Sequence, residues 1–100
     1  MKLKDNTVQT RGVRPELIIA MIIADQVYTK HGRSFVITSV TDGVHSETSL
    51  HYPGCAFDCR IYDDMDNDVL VKEIKSKLNI DYDVIFEGNH IHVEFQPRRR

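Results

Sequence analysis

The run Tyr82-Asp83-Val84-Ile85-Phe86-Glu87-Gly88-Asn89-His90-Ile91-His92-Val93-Glu94-Phe95 decides how the end of this chain folds. Apolar and polar residues alternate on both sides of Gly88-Asn89, a two-residue turn signal between strands. Successive side chains of a strand point to opposite faces. One face of the predicted hairpin therefore carries Tyr82, Val84, Phe86, Ile91, Val93 and Phe95, and the other carries Glu87, His90, His92 and Glu94. The turn sets Glu87 opposite His90 and Ile85 opposite His92. The apolar face is expected to pack on helices, which leaves the polar face for chemistry.

Working back from the hairpin, Cys55 to Tyr62 also reads with a period of two, with Cys55, Phe57, Cys59 and Ile61 on one side and Ala56, Asp58, Arg60 and Tyr62 on the other. The two cysteines are four residues apart in this strand, so their Cα atoms lie roughly 13 Å apart. That is beyond disulfide reach, and both are expected as buried free thiols. Between this strand and the hairpin, Leu70, Val71, Ile74 and Leu78 form the apolar stripe of a helix, with Lys72, Lys75 and Lys77 facing water. Asp66 or Asn67 is its cap, and Asp68 and Glu73 suit its dipole. The aspartates Asp63, Asp64, Asp66 and Asp68 lack the glycine and distal Glu of an EF-hand loop.

Further upstream, Pro15 suits the first position of a helix that runs to Lys30, and Lys30-His31-Gly32 suits its end. Leu17, Met21, Ala24 and Tyr28 make one stripe. Ile18, Ile19, Ile22 and Ile23 extend it around the helix, and core burial is the expected fate of these isoleucines, with a partner-binding patch the alternative. Phe35 to Val40 alternates as a strand, and Asp42-Gly43 then opens a polar loop that carries His45, Glu47, Thr48 and Ser49 to His51.

The predicted architecture is α+β: a small antiparallel sheet with two main helices packed on one face and a metal site on the other. One hundred residues make a single small domain. Its expected organisation is a loose N-terminal arm over 1–13, a domain over 14–97 and a basic tail, Arg98 to Arg100. A formal charge of −2 with 28% charged residues gives no electrostatic argument for nucleic acid. The N-terminus lacks the apolar core of a signal peptide, and the run Leu17 to Ala24 is far short of the ~20 residues a membrane span requires. The chain is thus expected to be made in the cytoplasm without membrane insertion.

His51, Asp58 and His92 together offer two imidazoles and a carboxylate for one divalent metal. Three ligands of N and O type leave a coordination position for water or substrate, whereas structural zinc sites are closed and rich in Cys. An ion held this way keeps about one unit of positive charge, enough to lower the pKa of bound water toward about 7 and polarise a peptide carbonyl. Hydrolysis also needs a group to move the water proton. Glu87, across the turn from His90, is the preferred base, and His90 the other candidate. Glu94 is a candidate acceptor for a ligand imidazole.

Ser49, His51, Gly54, Ala56 and Asp58 fill every fixed position of Ser-x-His-x-x-Gly-x-Ala-x-Asp, and a later His-x-His follows. In these residues the chain resembles the zinc peptidases of the hedgehog/DD-peptidase fold, and its hairpin is similar to the end of that domain in short phage and bacterial M15-type members. The resemblance runs from about Pro15 to Pro97. It implies one zinc ion per chain on His51, Asp58 and His92, and the peptide stem of bacterial peptidoglycan as substrate. It also implies action at the cell wall after release by a phage partner, or as part of a virion. His45, Ser49, Arg60 and Glu94 would bind substrate or support the ligands.

Two departures shape the expected activity. Many carboxypeptidase members carry an Arg that holds a terminal carboxylate where this chain reads Ser39-Val40-Thr41-Asp42, which tilts the expectation toward an endopeptidase. The acidic residue often found three positions before the last ligand is Asn89 if His92 is that ligand, whereas Glu87-x-x-His90 is similar to the acid-x-x-His arrangement of some members and implies the alternative in which His90 binds the metal. Asn89 keeps alive a non-catalytic zinc-containing module that binds wall peptides or a protein partner.

Overall fold

The computed structural model describes residues 1–5, 13–41 and 56–96. Two helices, α1 (Pro15–Lys30) and α2 (Asn67–Lys77), accompany five strands: β1 (Lys2–Leu3), β2 (Val36–Thr41), β3 (Ala56–Arg60), β4 (Tyr82–Phe86) and β5 (His90–Phe95). The strands form one sheet in the order β1-β2-β3-β5-β4. The fold is α+β, as expected, but the sheet is mixed rather than antiparallel, because β1 runs parallel to β2. Parallel neighbours need a crossover connection, and α1 supplies it. Lys2 N–H donates to the Phe35 carbonyl at 2.9 Å and Lys4 N–H to that of Ile37 at 2.7 Å. The start of the expected arm is thus a sheet strand, one too short to show a period in the sequence.

The termini of both helices follow their local chemistry. Pro15 opens α1, and Gly32 ends it with a φ of 76°, the left-handed conformation that glycine adopts at little cost. The Arg33 N–H reaches back to the Tyr28 carbonyl at 3.0 Å, which closes the last turn. At the start of α2 the Asp66 carboxylate accepts from the N–H groups of Asp68 and Val69 at 3.1 and 3.2 Å. The helices are tied together where Glu73 takes Lys30 at 2.8 Å and His31 at 2.9 Å.

The core lies between the helices and one face of the sheet. Leu17, Ala20, Met21, Ala24, Val27 and Tyr28 of α1 and Leu70 and Ile74 of α2 meet Phe35, Ile37, Phe57, Cys59, Val84, Ile91 and Val93. Phe35 meets Tyr28 at a tilt and Phe57 edge to face, with ring centroids 5.4 and 5.8 Å away. Leu78 only packs at the margin of this core, because α2 ends at Lys77.

The expected burial of the α1 isoleucines is overturned for three of them. Ile18, Ile19 and Ile22 are 45, 53 and 47% exposed. A single sheet face and a single partner helix cover only one side of α1, and Leu17, Ala20, Met21 and Ala24 occupy it. No described helix is long and apolar enough to cross a membrane.

Candidate functional site

The face of the sheet away from the helices is organised by strand register. Asp58 pairs across β3 and β5 with His92, with Arg60 opposite His90 and Ala56 opposite Glu94 on either side. Ser39 of β2 lies opposite Asp58, and Ile85 of β4 lies opposite His92. Ser39, Asp58, His92 and Ile85 thus form one row across four strands. The hairpin closes as its sequence predicts, with the Glu87 N–H donating to the His90 carbonyl at 2.9 Å and Gly88 taking a φ of 88°.

His92 is held at both ring nitrogens. Its Nδ1 lies 2.7 Å from Asp58 Oδ1 and its Nε2 lies 3.0 Å from Glu94 Oε1. Glu94 is 9% exposed, a nearly buried carboxylate on this face. The hydrogen bond to Asp58 raises His92, partial burial opposes it, and Glu94 adds to the rise, bringing the imidazole up to about 9. At neutral pH it is an imidazolium bridging two carboxylates.

His90 and Glu87 complete the cluster. His90 Nδ1 donates to Asn89 Oδ1 at 2.5 Å, which turns Nε2 toward the site, 3.7 Å from Asp58 Oδ1 and 3.8 Å from Glu87 Oε1. Glu87 Oε1 is also 3.9 Å from His92 Nδ1. Asp58, Glu87, His90 and His92 therefore share one small region of the sheet surface. Arg60 is exposed beside them, and its carbonyl accepts the Tyr28 hydroxyl at 2.8 Å.

Below this face the thiol of Cys59 is fully buried and free, as expected. It lies 3.5 Å from the Tyr28 hydroxyl and donates to the Ile91 carbonyl at 3.6 Å. Burial outweighs the Tyr28 hydrogen bond and pushes the thiol up to about 12, so it stays protonated and tethers β3 to β5.

His51, and with it His45 and Ser49, lies outside the described residues, as does Cys55. Among the described residues no group of three or more His, Cys, Asp and Glu side chains is arranged to hold a metal ion. Asp58 and His92 supply two of the three expected ligands. Their carboxylate oxygen and imidazole nitrogen are chemically suited to zinc, although at 2.7 Å a proton bridges them. Ile85 carries no catalytic or ligating group, and only its hairpin register opposite His92 marks it in the sequence as part of this row.

Neither a protein-family model, a curated protein nor a solved structure matches the chain.

Proposed function

We propose that the protein is a zinc-dependent peptidase that hydrolyses peptide bonds in bacterial peptidoglycan, within stem peptides or cross-bridges rather than at a terminal D-alanine. The observation that carries this reading is the pairing of Asp58 with His92 across β3 and β5, with Glu87, His90 and Glu94 on the same face. His51, Asp58 and His92 would hold one zinc ion, in a domain of the hedgehog/DD-peptidase fold. Zinc bound there supplies a Lewis acid that polarises a carbonyl and acidifies water.

The residues of this chain divide the remaining work. With His92 neutral and ligating through Nδ1, its Nε2–H would donate to Glu94, which fixes the ring and its tautomer. Glu87 lies within 4 Å of both His90 and His92, close enough to take a proton from water and pass it to the departing nitrogen. His90 Nε2 is the other candidate for that transfer, and His90 remains the alternative metal ligand. The exposed Ser39 opposite Asp58 offers no cation for a terminal carboxylate, which favours internal bonds. The expected setting is the cell wall, reached with a phage release partner or in a virion.

The test is zinc content of the wild type, His51→Ala and Asp58→Asn, with mass spectrometry of muropeptides incubated with each. A zinc-to-chain ratio near unity and new peptide termini, both lost in the variants, support the peptidase. A well-folded wild type without zinc sinks it.

A second reading is a non-catalytic zinc module that binds wall peptides or a protein partner, including a component of a phage virion. Ile18, Ile19 and Ile22 favour it, because they form an apolar strip on α1 on the surface. Zinc binding without hydrolysis, together with retention of stem peptides, would decide for it.

A further inference from the structure

We propose that Ile85 is a specificity-determining residue that receives an apolar side chain of a peptide lying across the strands. This deepens the peptidase reading and rests on it. The argument begins with the row Ser39, Asp58, His92 and Ile85, which the pairings of β2, β3, β5 and β4 set side by side. Neighbouring strands are about 4.8 Å apart, so the row spans roughly 14 Å, about four residues of extended peptide. A bond lying over Asp58 and His92 has the next part of its chain over Ile85, only one strand spacing away.

The chemistry of the row changes at that point. Ile85 is 50% exposed, an apolar side chain beside the polar and charged groups of Asp58, Arg60, Glu87, His90 and His92. An apolar side chain of the substrate gains by covering Ile85. Ile85 therefore selects an apolar residue next to the cleaved bond.

The experiment compares wild type, Ile85→Thr and Val69→Thr on dimeric muropeptides released from peptidoglycan by a muramidase, with zinc content and thermal melting recorded for each. Thr keeps the β-branch that suits a strand. Val69 is a control of similar exposure, 44%, on α2, which packs against the other face of the sheet. Ile85→Thr is expected to raise KM about fivefold with kcat within about twofold, the signature of lost ground-state contact. Zinc content and the Val69→Thr kinetics should match wild type. Cleavage by wild type with KM unchanged in Ile85→Thr overturns this inference and leaves the peptidase standing. No cleavage by wild type overturns both.

Discussion

His92 faces Asp58 directly across two antiparallel strands, and its ring is closed on the other side by Glu94, so one imidazole bridges two carboxylates. In the proposed zinc site the ion would take the place of the proton that this imidazole holds between the carboxylates. Metal binding is therefore expected to displace that proton and to strengthen as pH rises toward 9.

In the metal-free protein the same bridge should appear as pH-dependent stability. The folded value of His92, about 9, lies above the ordinary 6.5. A raised imidazole pKa means that the folded state holds the proton more tightly. Its contribution is fully present below 6.5 and is lost as pH rises through 9. An NMR titration of the His92 ring should give a midpoint well above 6.5, and Asp58→Asn should lower it. A midpoint near 6.5 in the wild type would show that the bridge is absent in solution.

Glu94→Gln tests the second contact of the ring. The substitution preserves shape but removes the charge 3.0 Å from Nε2. Loss of such a partner weakens metal affinity about 10- to 100-fold, so zinc competition with a chelator should show a drop in that range. An unchanged affinity would mean that Glu94 does not orient a ligand, and would favour His90 as the metal-binding histidine.

Between the two helices, Glu73 joins Lys30 and His31, and the hydrogen bonds from Lys30 and then His31 hold its carboxyl down to about 2. A lowered carboxyl pKa gives stability that is present above the usual 4.5 and lost as pH falls toward 2. Glu73→Gln should flatten acid unfolding over that interval, followed by circular dichroism. Asp66→Ala, which removes the cap of α2, should cost about 1 kcal/mol in urea unfolding at neutral pH.

Much of this was legible because local chemistry and tertiary packing agree. The alternation through Tyr82–Phe86 and His90–Phe95, with Gly88-Asn89 between them, determines the register that sets Ile85 beside His92. The same parity in β3 buries Phe57 and Cys59 and turns Asp58 outward. Pairings between distant segments were less accessible. Lys2 and Leu3 have no period to read, and their parallel pairing with Val36 and Ile37 depends on α1 bringing the chain back. The pairing of Asp58 with His92 arises from β3 and β5 becoming neighbours, which neither segment encodes alone. His51, the remaining expected ligand, lies outside the described residues.

The α1 isoleucines show most sharply where a local pattern runs out. A helix apolar around most of its circumference does not reveal which apolar residues find a neighbour. Leu17 is fully buried and Ile19 is 53% exposed, two positions apart on the same helix. Leu17→Ala should therefore destabilise the protein by about 2–5 kcal/mol through lost packing and a residual cavity. Ile19→Lys should change stability by no more than about 0.5 kcal/mol, because it removes no core contact. Urea denaturation measures both. If Ile19→Lys also proves strongly destabilising, or converts an oligomer to monomers by light scattering, then α1 is covered in solution by a second chain, and the exposed strip is an interface.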